Sequence, residues 1–332
     1  MPPADLQATF KGRQALLTGG MGFIGSHLAR RLLSLGAGLT LVDNLAAGSG
    51  GNTHNIHDIR EHMQVVVGDV QDEAVMAPLL AGQDYLFNLA AQVSHVAGMQ
   101  DPLTDLRVNA VGQVSLLQLC RKSNPSIRIV HAGTRQVYGR PQRLPVDENH
   151  PLAPPDFNAV SKMAGEWYHL VCHRVYGMRT TSLRMTNVYG PCMRVRDGRQ
   201  TFIGLWFRQL IEGQPLTIYG DGRQLRDLNY VDDVVEALLR CAAAREAEGE
   251  VYNLGAEPIS LLQLAQEMIA VNGGGSYRLE PFPPERQRID IGDYCGDFTK
   301  IRSQLGWAPS VPLQEGLART LAYYREFGGH YW

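Results

Sequence analysis

A glycine-rich turn, placed between an apolar run and an amphipathic helix, constrains the fold of this chain most. Ala15–Thr18 has the pattern of a buried strand, and Phe23–Leu35 has apolar residues at helical spacing. Gly19–Gly25 joins them and matches both G-x-G-x-x-G and G-x-x-G-x-x-G. Glycines here allow a tight turn and close approach of the backbone to a pyrophosphate, which the free N–H groups of the helix start would bind. The motif predicts dinucleotide contacts at Gly19, Gly22, Phe23, Ile24 and Gly25.

An acidic residue follows the second predicted strand, Leu39–Val42. Asp43 lies 18 residues after Gly25, where a carboxylate can accept both hydroxyls of the adenosine ribose. It would repel a 2′-phosphate, and no Lys or Arg occurs between Asp43 and His57 to attract one. The pattern therefore predicts NAD rather than NADP as the cofactor.

Residues at two strand ends are predicted to reach the adenine half of the cofactor. Asn44 follows Asp43 directly, and Asp69 and Val70 follow the third predicted strand, Gln64–Val67. Because parallel α/β sheets bind ligands at the carboxyl ends of their strands, we expect Asn44, Asp69 and Val70 to contact the cofactor.

Strand and helix patterns alternate through the first half of the chain. The remaining predicted strands here are Asp84–Asn88, Ile127–Val130 and Thr180–Arg184, and the long helices are Asp105–Arg121 and Asn158–Val175. This alternation predicts an α/β fold, a Rossmann-type doubly wound parallel sheet with helices on both faces.

The pattern changes after Asn187, where loops lengthen and Gly and Pro cluster. We therefore predict an NAD-binding domain over residues 1–185 and a smaller, irregular C-terminal domain over residues 186–332. The second domain is expected to bind mainly the substrate, with some of its elements returning to the main sheet. Its predicted helices are Phe202–Glu212, Val231–Ala243, Leu261–Asn272 and Leu313–Arg325.

Composition and charge argue against several classes of protein. The net charge is -2 and no block of Lys or Arg occurs, so nucleic acid is not an expected partner. The chain lacks the run of 18 apolar residues that a membrane span needs, and its polar N-terminus is unlike a signal peptide. The five cysteines form no CxxC pair, which indicates neither zinc nor disulfides and fits reduced thiols in the cytoplasm.

Motifs along nearly the whole chain resemble the extended short-chain dehydrogenase/reductase family. The resemblance is to its NAD-dependent sugar-nucleotide epimerase/dehydratase branch, which includes UDP-glucose 4-epimerase. The motifs are specific for the superfamily and much less specific for one reaction. Besides the glycine turn they are Asn88–Ala91, Asn109–Gly112, Val137–Gly139, Ser161–Glu166, Leu183–Pro191, Gly220–Gly222, Arg226–Asp227, Val231–Asp233 and Leu305–Trp307.

This resemblance implies a permanently bound NAD and a nucleoside-diphosphate sugar as substrate, with a UDP-sugar as the first candidate. In the family a sugar hydroxyl is oxidised to a ketone, and the hydride is usually returned. The resemblance further implies cofactor contacts from Leu89, Ala90, Ala91, Asn109 and Lys162.

The catalytic positions implied by the family are only partly filled. A Ser or Thr holds the reacting oxygen, and a Tyr acts as base. A Lys four residues after that Tyr, on the same helix face, lowers its pKa. Thr134 and Lys162 match two of these positions, but the Tyr position is Asn158.

The amide of Asn158 cannot take a proton, although it can hold a hydroxyl or a water by hydrogen bonds. Substitute bases suggested by position are His95, His131, Tyr138 and Tyr168. Ordinary packing or surface exposure is the alternative role for each of them. A water or the substrate itself could also take the proton.

The residues after Thr134 bear on the reaction. The family's 4,6-dehydratases carry an Asp-Glu pair there, whereas this chain has Arg135 and Gln136. Dehydration would then lack its general acid, which argues against that reaction. Arg135 could pair with a carboxylate or phosphate, or be solvated.

Substrate contacts follow from the same resemblance. Asn187 matches the family Asn at the substrate diphosphate, and Arg226 lies in the stretch that carries a phosphate-binding Arg. A guanidinium suits this task because it makes paired hydrogen bonds to phosphate. Tyr219 and Phe202 are expected to flank the base and sugar, and Arg288 is favoured over Arg286 as a second phosphate contact.

Taken together, these patterns favour an epimerase-like enzyme that acts at C4 of the sugar by transient oxidation and re-reduction. An oxidoreductase or decarboxylase of the same family, or a catalytically idle binding protein, is the alternative. The helices Asp105–Arg121 and Asn158–Val175 resemble those that pair across a two-fold axis in the family, which predicts a homodimer.

Overall fold

The protein is built around a central parallel sheet. Its structure, a computed structural model, describes residues 5–198 and 201–332. The strands are, in chain order, β1 (Gln14–Thr18), β2 (Gly38–Asp43), β3 (Gln64–Val67), β4 (Tyr85–Asn88), β5 (Arg128–Thr134), β6 (Arg179–Met185), β7 (Asn187–Tyr189), β8 (Leu216–Tyr219), β9 (Leu225–Arg226), β10 (Leu228–Tyr230), β11 (Val251–Asn253), β12 (Ile259–Ser260) and β13 (Tyr277–Glu280). Seven of them form the central sheet in the order β3-β2-β1-β4-β5-β6-β11, and every neighbouring pair is parallel.

Helices cover both faces of this sheet. They are α1 (Leu6–Phe10), α2 (Phe23–Ser34), α3 (Glu73–Leu80), α4 (His95–Gln100), α5 (Pro102–Leu106), α6 (Gly112–Ser123), α7 (Phe157–Tyr176), α8 (Phe202–Ile211), α9 (Val231–Ala243), α10 (Leu261–Asn272), α11 (Pro284–Gln287), α12 (Thr299–Leu305) and α13 (Leu313–Phe327). Ala15 and Leu17 of β1 pack with residues of α1, α2, α9 and α12, whereas Leu16 packs with α3 and α6. Since successive strand residues face opposite sides, this alternation confirms the predicted doubly wound α/β fold.

The C-terminal half contributes to two cores. Residues of α8, α10, α13 and β8 form a separate apolar cluster. By contrast, β11 pairs with β6, and α9 and α12 pack on the central sheet. No helix within the described ranges is long and apolar enough to cross a membrane.

The predicted helix Asp105–Arg121 is interrupted. The chain forms α5, then a π-helical segment over Arg107–Val111, then α6. Within the segment Asn109 donates to Asp105 Oδ1 at 3.1 Å and to the carbonyl of Gln92 at 2.9 Å. The apolar period continues across the segment, so periodicity alone could not reveal a π turn, a feature frequent at functional sites.

A buried ion pair holds α7 on the sheet. Glu166 of α7 accepts hydrogen bonds from Arg184 of β6 at 2.9 and 2.5 Å, and the two side chains are 1% and 5% exposed. Tyr138 accepts a further bond from Arg184 at 2.5 Å. Loss of one partner would leave a charge buried without compensation. The pair therefore sets the position of the helix that carries Asn158 and Lys162.

Replacing Glu166 by Gln is expected to lower the free energy of unfolding by about 3–5 kcal/mol, because it leaves the Arg184 charge buried. The matched control is Glu212→Gln, which breaks a half-exposed ion pair with Arg208 and should cost less than about 1 kcal/mol. Urea unfolding of both variants measures the difference. Equal costs would contradict the anchoring role of Glu166.

Candidate active site

The glycines of the turn allow it to pack tightly against neighbouring backbone. Gly19 has a φ of 67°, and a Cβ there would lie 3.0 Å from the backbone nitrogen of Ala90. A Cβ on Gly25 would lie 2.4 Å from the Gly19 carbonyl oxygen. Gly22 precedes α2 and has no side chain to cap its first N–H groups. These donors and the helix dipole suit a pyrophosphate.

Asp43 is buried at the end of β2, beside this turn. Its Oδ2 accepts the N–H of Met21 at 3.1 Å, and its Oδ1 accepts that of Leu45 at 2.9 Å. Burial raises the pKa of Asp43, while these two hydrogen bonds oppose the rise. Each oxygen keeps a second lone pair that a ribose hydroxyl could use.

The loops after β2 and β3 meet through side chains. Asn44 donates to Asp69 Oδ2 at 3.1 Å, and Asp69 Oδ1 accepts the N–H of Gln71 at 2.9 Å. Val70 follows Asp69 and is partly buried. These residues lie at the carboxyl edge of the sheet, on the side of Asp43.

The hydroxyl of Thr18 connects the ends of β1 and β4. It accepts the N–H groups of Leu89 and Ala90, both at 3.1 Å, and donates to Asn88 Oδ1 at 3.0 Å. The loop that continues into Ala91 is thereby brought next to the glycine turn. The cradle that results fits the pyrophosphate and adenosine of NAD.

Thr134 and Lys162 are the two predicted catalytic residues that match the family pattern. Thr134 ends β5, and its Oγ1 accepts the N–H of Gln136 at 3.2 Å. Burial lowers the pKa of Lys162 to about 8, although the nearby Asp105 opposes the shift. In its protonated form the ammonium of Lys162 can serve as a donor and countercharge.

The side chain of Asn158, in contrast, makes hydrogen bonds within the protein. It is 1% exposed, and its Nδ2 donates to Asp105 Oδ2 at 2.8 Å and to the carbonyl of Gln92 at 2.9 Å. Its Oδ1 is buried without a partner in the described part of the chain. The amide ties α7 to the loop after β4 and performs no acid–base task.

Two of the suggested substitute bases are committed to internal contacts. His131 shares a hydrogen bond with Ser182 at 3.1 Å and stacks on His169, and burial holds its pKa well below the usual range. Tyr138 donates to Asn253 at 2.7 Å, and burial raises the pKa of Tyr138 to about 12. Neither suits proton removal near neutral pH.

The other two suggested bases are Tyr168 and His95. Tyr168 is 37% exposed on the outer face of α7. His95 begins α4, and its Nδ1 lies 3.0 Å from Oδ2 of Asp156, whose side chain is fully buried. Sequence reasoning missed Asp156, although an Asp directly before a helical pattern is a recognisable N-cap signal.

Two guanidinium groups lie close together at the substrate end. Arg135 donates to Asn187 Oδ1 at 3.0 Å, and its Nη1 is buried without a partner among the described residues. Arg226 is 6% exposed and donates to carbonyl oxygens of Leu225 and Gly292. Burial, followed by repulsion from Arg135, lowers the pKa of Arg226 to about 10 despite nearby carboxylates. An anion placed here would relieve that repulsion.

The remaining predicted substrate contacts are Tyr219, Arg288 and Phe202. The guanidinium of Arg286 lies over the ring of Tyr219 at 5.7 Å, whereas Arg288 is exposed at the end of α11. The structure thus brings Arg286, and not Arg288, next to Tyr219. Phe202 begins α8 and packs edge-on against Trp206 at 4.9 Å.

Comparison with known proteins agrees with this geometry. Residues 15–255 match the model of the NAD dependent epimerase/dehydratase family. The UDP-glucose 4-epimerase of Mycolicibacterium smegmatis is 33% identical over 318 residues, which cover 94% of this chain and 98% of that protein.

Two solved structures superpose over most of the chain. The UDP-glucose 4-epimerase of Thermotoga maritima with UDP-glucose has a TM-score of 0.87 at 30% identity, covering 95% of this chain and 99% of that one. DesIV, a dTDP-glucose 4,6-dehydratase from Streptomyces venezuelae with NAD bound, has a TM-score of 0.87 at 29% identity, covering 95% and 98%. On this evidence the chain belongs to the NAD-dependent epimerase/dehydratase family, with NAD as its cofactor.

Proposed function

We propose that this protein is an NAD-dependent enzyme that inverts C4 of a nucleoside-diphosphate sugar, with a UDP-sugar as the first candidate. The observation that carries the proposal is a pair of guanidinium groups that repel each other: that of Arg135, whose Nη1 is buried without a hydrogen-bond partner among the described residues, and that of the buried Arg226. A sugar diphosphate suits such a pair, because guanidinium groups bind phosphate oxygens in pairs.

Six of the predicted residues have a role in this scheme. Bound NAD supplies a hydride acceptor that can return the hydride. Thr134 hydrogen-bonds the reacting oxygen, and Lys162 holds the nicotinamide ribose and provides a countercharge. Asn187 and Arg226 hold the diphosphate, and Phe202 and Tyr219 flank the base and sugar.

Elimination of water is disfavoured by the residues after Thr134. Gln136 is buried, and its amide donates to Asp156 at 3.3 Å and to the carbonyl of Ile289 at 3.4 Å. An amide cannot donate the proton that a departing hydroxyl needs. A dehydratase would require a carboxylic acid at this position.

The second candidate is an oxidoreductase or decarboxylase of a sugar that carries a carboxylate. The unpartnered Nη1 of Arg135 favours it, since a sugar carboxylate would satisfy this buried donor. Net formation of NADH would identify an oxidoreductase, and release of carbon dioxide a decarboxylase. Tight binding of NAD and nucleotide sugar without turnover would identify an idle binding protein.

A homodimer is proposed from the surface of α7. Val160, Trp167, Val171 and Val175 are 41–64% exposed and recur at helical spacing, and Val111 of the neighbouring π-helical segment is 46% exposed. Exposed apolar surface of this kind is typical of an interface.

Sedimentation at micromolar concentration is expected to show a dimer. Trp167→Lys should shift the protein towards monomer, because a charge would be buried in the apolar interface. Tyr277→Lys, at an equally exposed aromatic on β13, is the control and should leave the dimer intact. A monomeric parent would contradict the proposal.

Arg226→Ala is expected to weaken binding of the nucleotide sugar by about 2–4 kcal/mol, because a charge-assisted pair is lost in a partly desolvated site. Calorimetric titration with UDP-glucose and with NAD measures both affinities, and NAD binding should be nearly unchanged. Arg223→Ala is the matched control, since Arg223 is 89% exposed in the same segment. Parallel loss of both ligands would instead indicate a structural role for Arg226.

Incubation with UDP-glucose or UDP-galactose is expected to yield the C4 epimer by NMR without net NADH. Asn158→Tyr should be no faster than the parent, because another group already takes the proton. A clear gain of rate in Asn158→Tyr would show that the parent lacks an effective base. If neither protein turns over any sugar nucleotide, yet both bind NAD and nucleotide, the protein is a catalytically idle binding protein and the proposed function is wrong.

A further inference from the structure

The proposed epimerisation requires a group that removes a hydroxyl proton, and the residue at the usual position cannot do so. The amide of Asn158 has no useful basicity, and both protons of its Nδ2 face Asp105 and Gln92. His131 and Tyr138 are committed internally. A substitute base must therefore be a basic atom that lies near Asn158 and is accessible from outside the protein; α4 is close, since a Cβ on its Gly98 would lie 3.2 Å from Cβ of Asn158.

His95 meets both conditions. Its side chain is 30% exposed, and its Nδ1 lies 3.0 Å from Oδ2 of Asp156. Nδ1 makes no aligned hydrogen bond to the described residues, but the nearby carboxylate attracts a proton on Nδ1, and that tautomer leaves the lone pair of Nε2 available. Within the described ranges Nε2 makes no hydrogen bond to the protein.

Asp156 is held as a carboxylate in a fixed orientation. Its Oδ1 accepts the N–H of Ala159 at 2.8 Å as the N-cap of α7, and its Oδ2 accepts from Gln136 at 3.3 Å. Burial opposes its ionisation, but His95 and these hydrogen bonds keep the pKa of Asp156 below its usual range. A buried carboxylate that orients an imidazole is the arrangement by which proteins prepare a histidine for proton transfer.

The pair is connected to both catalytic positions of the proposed mechanism. Asp156 lies two residues before Asn158 in the chain. On the other side Gln136, which contacts the same Oδ2 as His95, donates its N–H to Oγ1 of Thr134 at 3.2 Å. Through Asp156, the imidazole of His95 is thus linked to the strand end that would hold the reacting oxygen.

We propose that His95 is the general base that replaces the missing tyrosine, with Asp156 as its positioning residue. The inference rests on the proposed function. The O–H bond of the sugar hydroxyl breaks as its proton moves to Nε2 of His95. The hydride leaves the same carbon as the C=O bond forms, and the nicotinamide cofactor takes that electron pair. The reverse step returns both to the ketone, with the hydride delivered to its opposite face.

Several charged groups lie near the His95–Asp156 pair. Two helices pack against α4: α7, which carries Lys162 and is capped by Asp156, and α5, which carries Asp105. The Oδ2 of Asp105 would lie 2.7 Å from a Cβ on Gly98 of α4.

His95→Gln is expected to lower kcat on the sugar nucleotide about a hundred- to ten-thousand-fold with little change in KM, as loss of a general base requires. His62→Gln, at an exposed histidine remote from the cleft, is the control and should keep the parental rate. Asp156→Asn preserves an N-cap, so it should fold normally and lower kcat with KM nearly unchanged. A purely structural role of Asp156 would leave the kcat of the folded variant unchanged.

Chemical modification supplies a measurement that needs no turnover. Diethyl pyrocarbonate acylates unprotonated imidazole nitrogens, and peptide mass spectrometry locates the product. We expect His95 to be modified in the parent and to be protected by UDP-glucose, whereas His62 should be modified equally with and without the sugar nucleotide. Modification of His95 that UDP-glucose leaves unchanged would overturn its placement at the sugar.

The outcomes separate the two proposals. A parent that turns over while His95→Gln keeps its rate overturns the base and leaves the proposed function intact. Thermal unfolding would show whether His95→Gln fails to fold. In that case the kcat of Asp156→Asn and the modification of His95 in the parent decide whether His95 is the base. A parent that turns over no sugar nucleotide overturns the proposed function and the base with it.

Discussion

The shape of the cofactor cleft depends on the hydrogen bonds made by the hydroxyl of Thr18. It lies where β1 and β4 end together, and it satisfies the N–H groups of Leu89 and Ala90 while donating to Asn88. Parallel strands leave such backbone groups unpaired where they end, and buried unpaired groups are costly. One side chain therefore joins the two loops that form the NAD cradle. Because Gly19 has no Cβ, Ala90 can approach closely enough for this to work.

From this edge a second buried network positions the loop that ends at His95. Asn109, in its π-helical segment, and Asn158, on α7, both donate to the carbonyl of Gln92 and to the carboxylate of Asp105. Buried polar groups must find partners, so these amides are used as structural donors. The amide of Asn158, which makes these hydrogen bonds, is therefore not available for proton transfer. His95 differs from these amides: its Nδ1 lies 3.0 Å from the Asp156 carboxylate, and its side chain is 30% exposed.

At the substrate end proposed above, the positive charge is only partly compensated: Arg226 pairs with Asp290 at 3.4 Å, but a second guanidinium lies nearby. Arg135 and Arg226 lie close enough to repel each other, and one donor of Arg135 has no partner among the described residues. Such an arrangement is unfavourable in the empty protein and becomes favourable when an anion binds. The buried Glu166–Arg184 pair is compensated instead, which fits its task of holding α7 on the sheet.

The sequence by itself determined the doubly wound sheet, the glycine turn with Asp43, and the helices at Val231–Ala243 and Leu261–Asn272, because periodicity and backbone freedom are local properties of the chain. Resemblance to the family, and not periodicity, is what assigned Thr134, Lys162 and Asn158 to its catalytic positions, and that assignment stays a prediction. Only the tertiary structure decided what Asn158 contacts, that the helix before α6 contains a π-helical segment, and that Asp156 lies against His95. These features depend on contacts between residues 17 to 66 positions apart, and no local pattern records which distant partner a buried polar group will find.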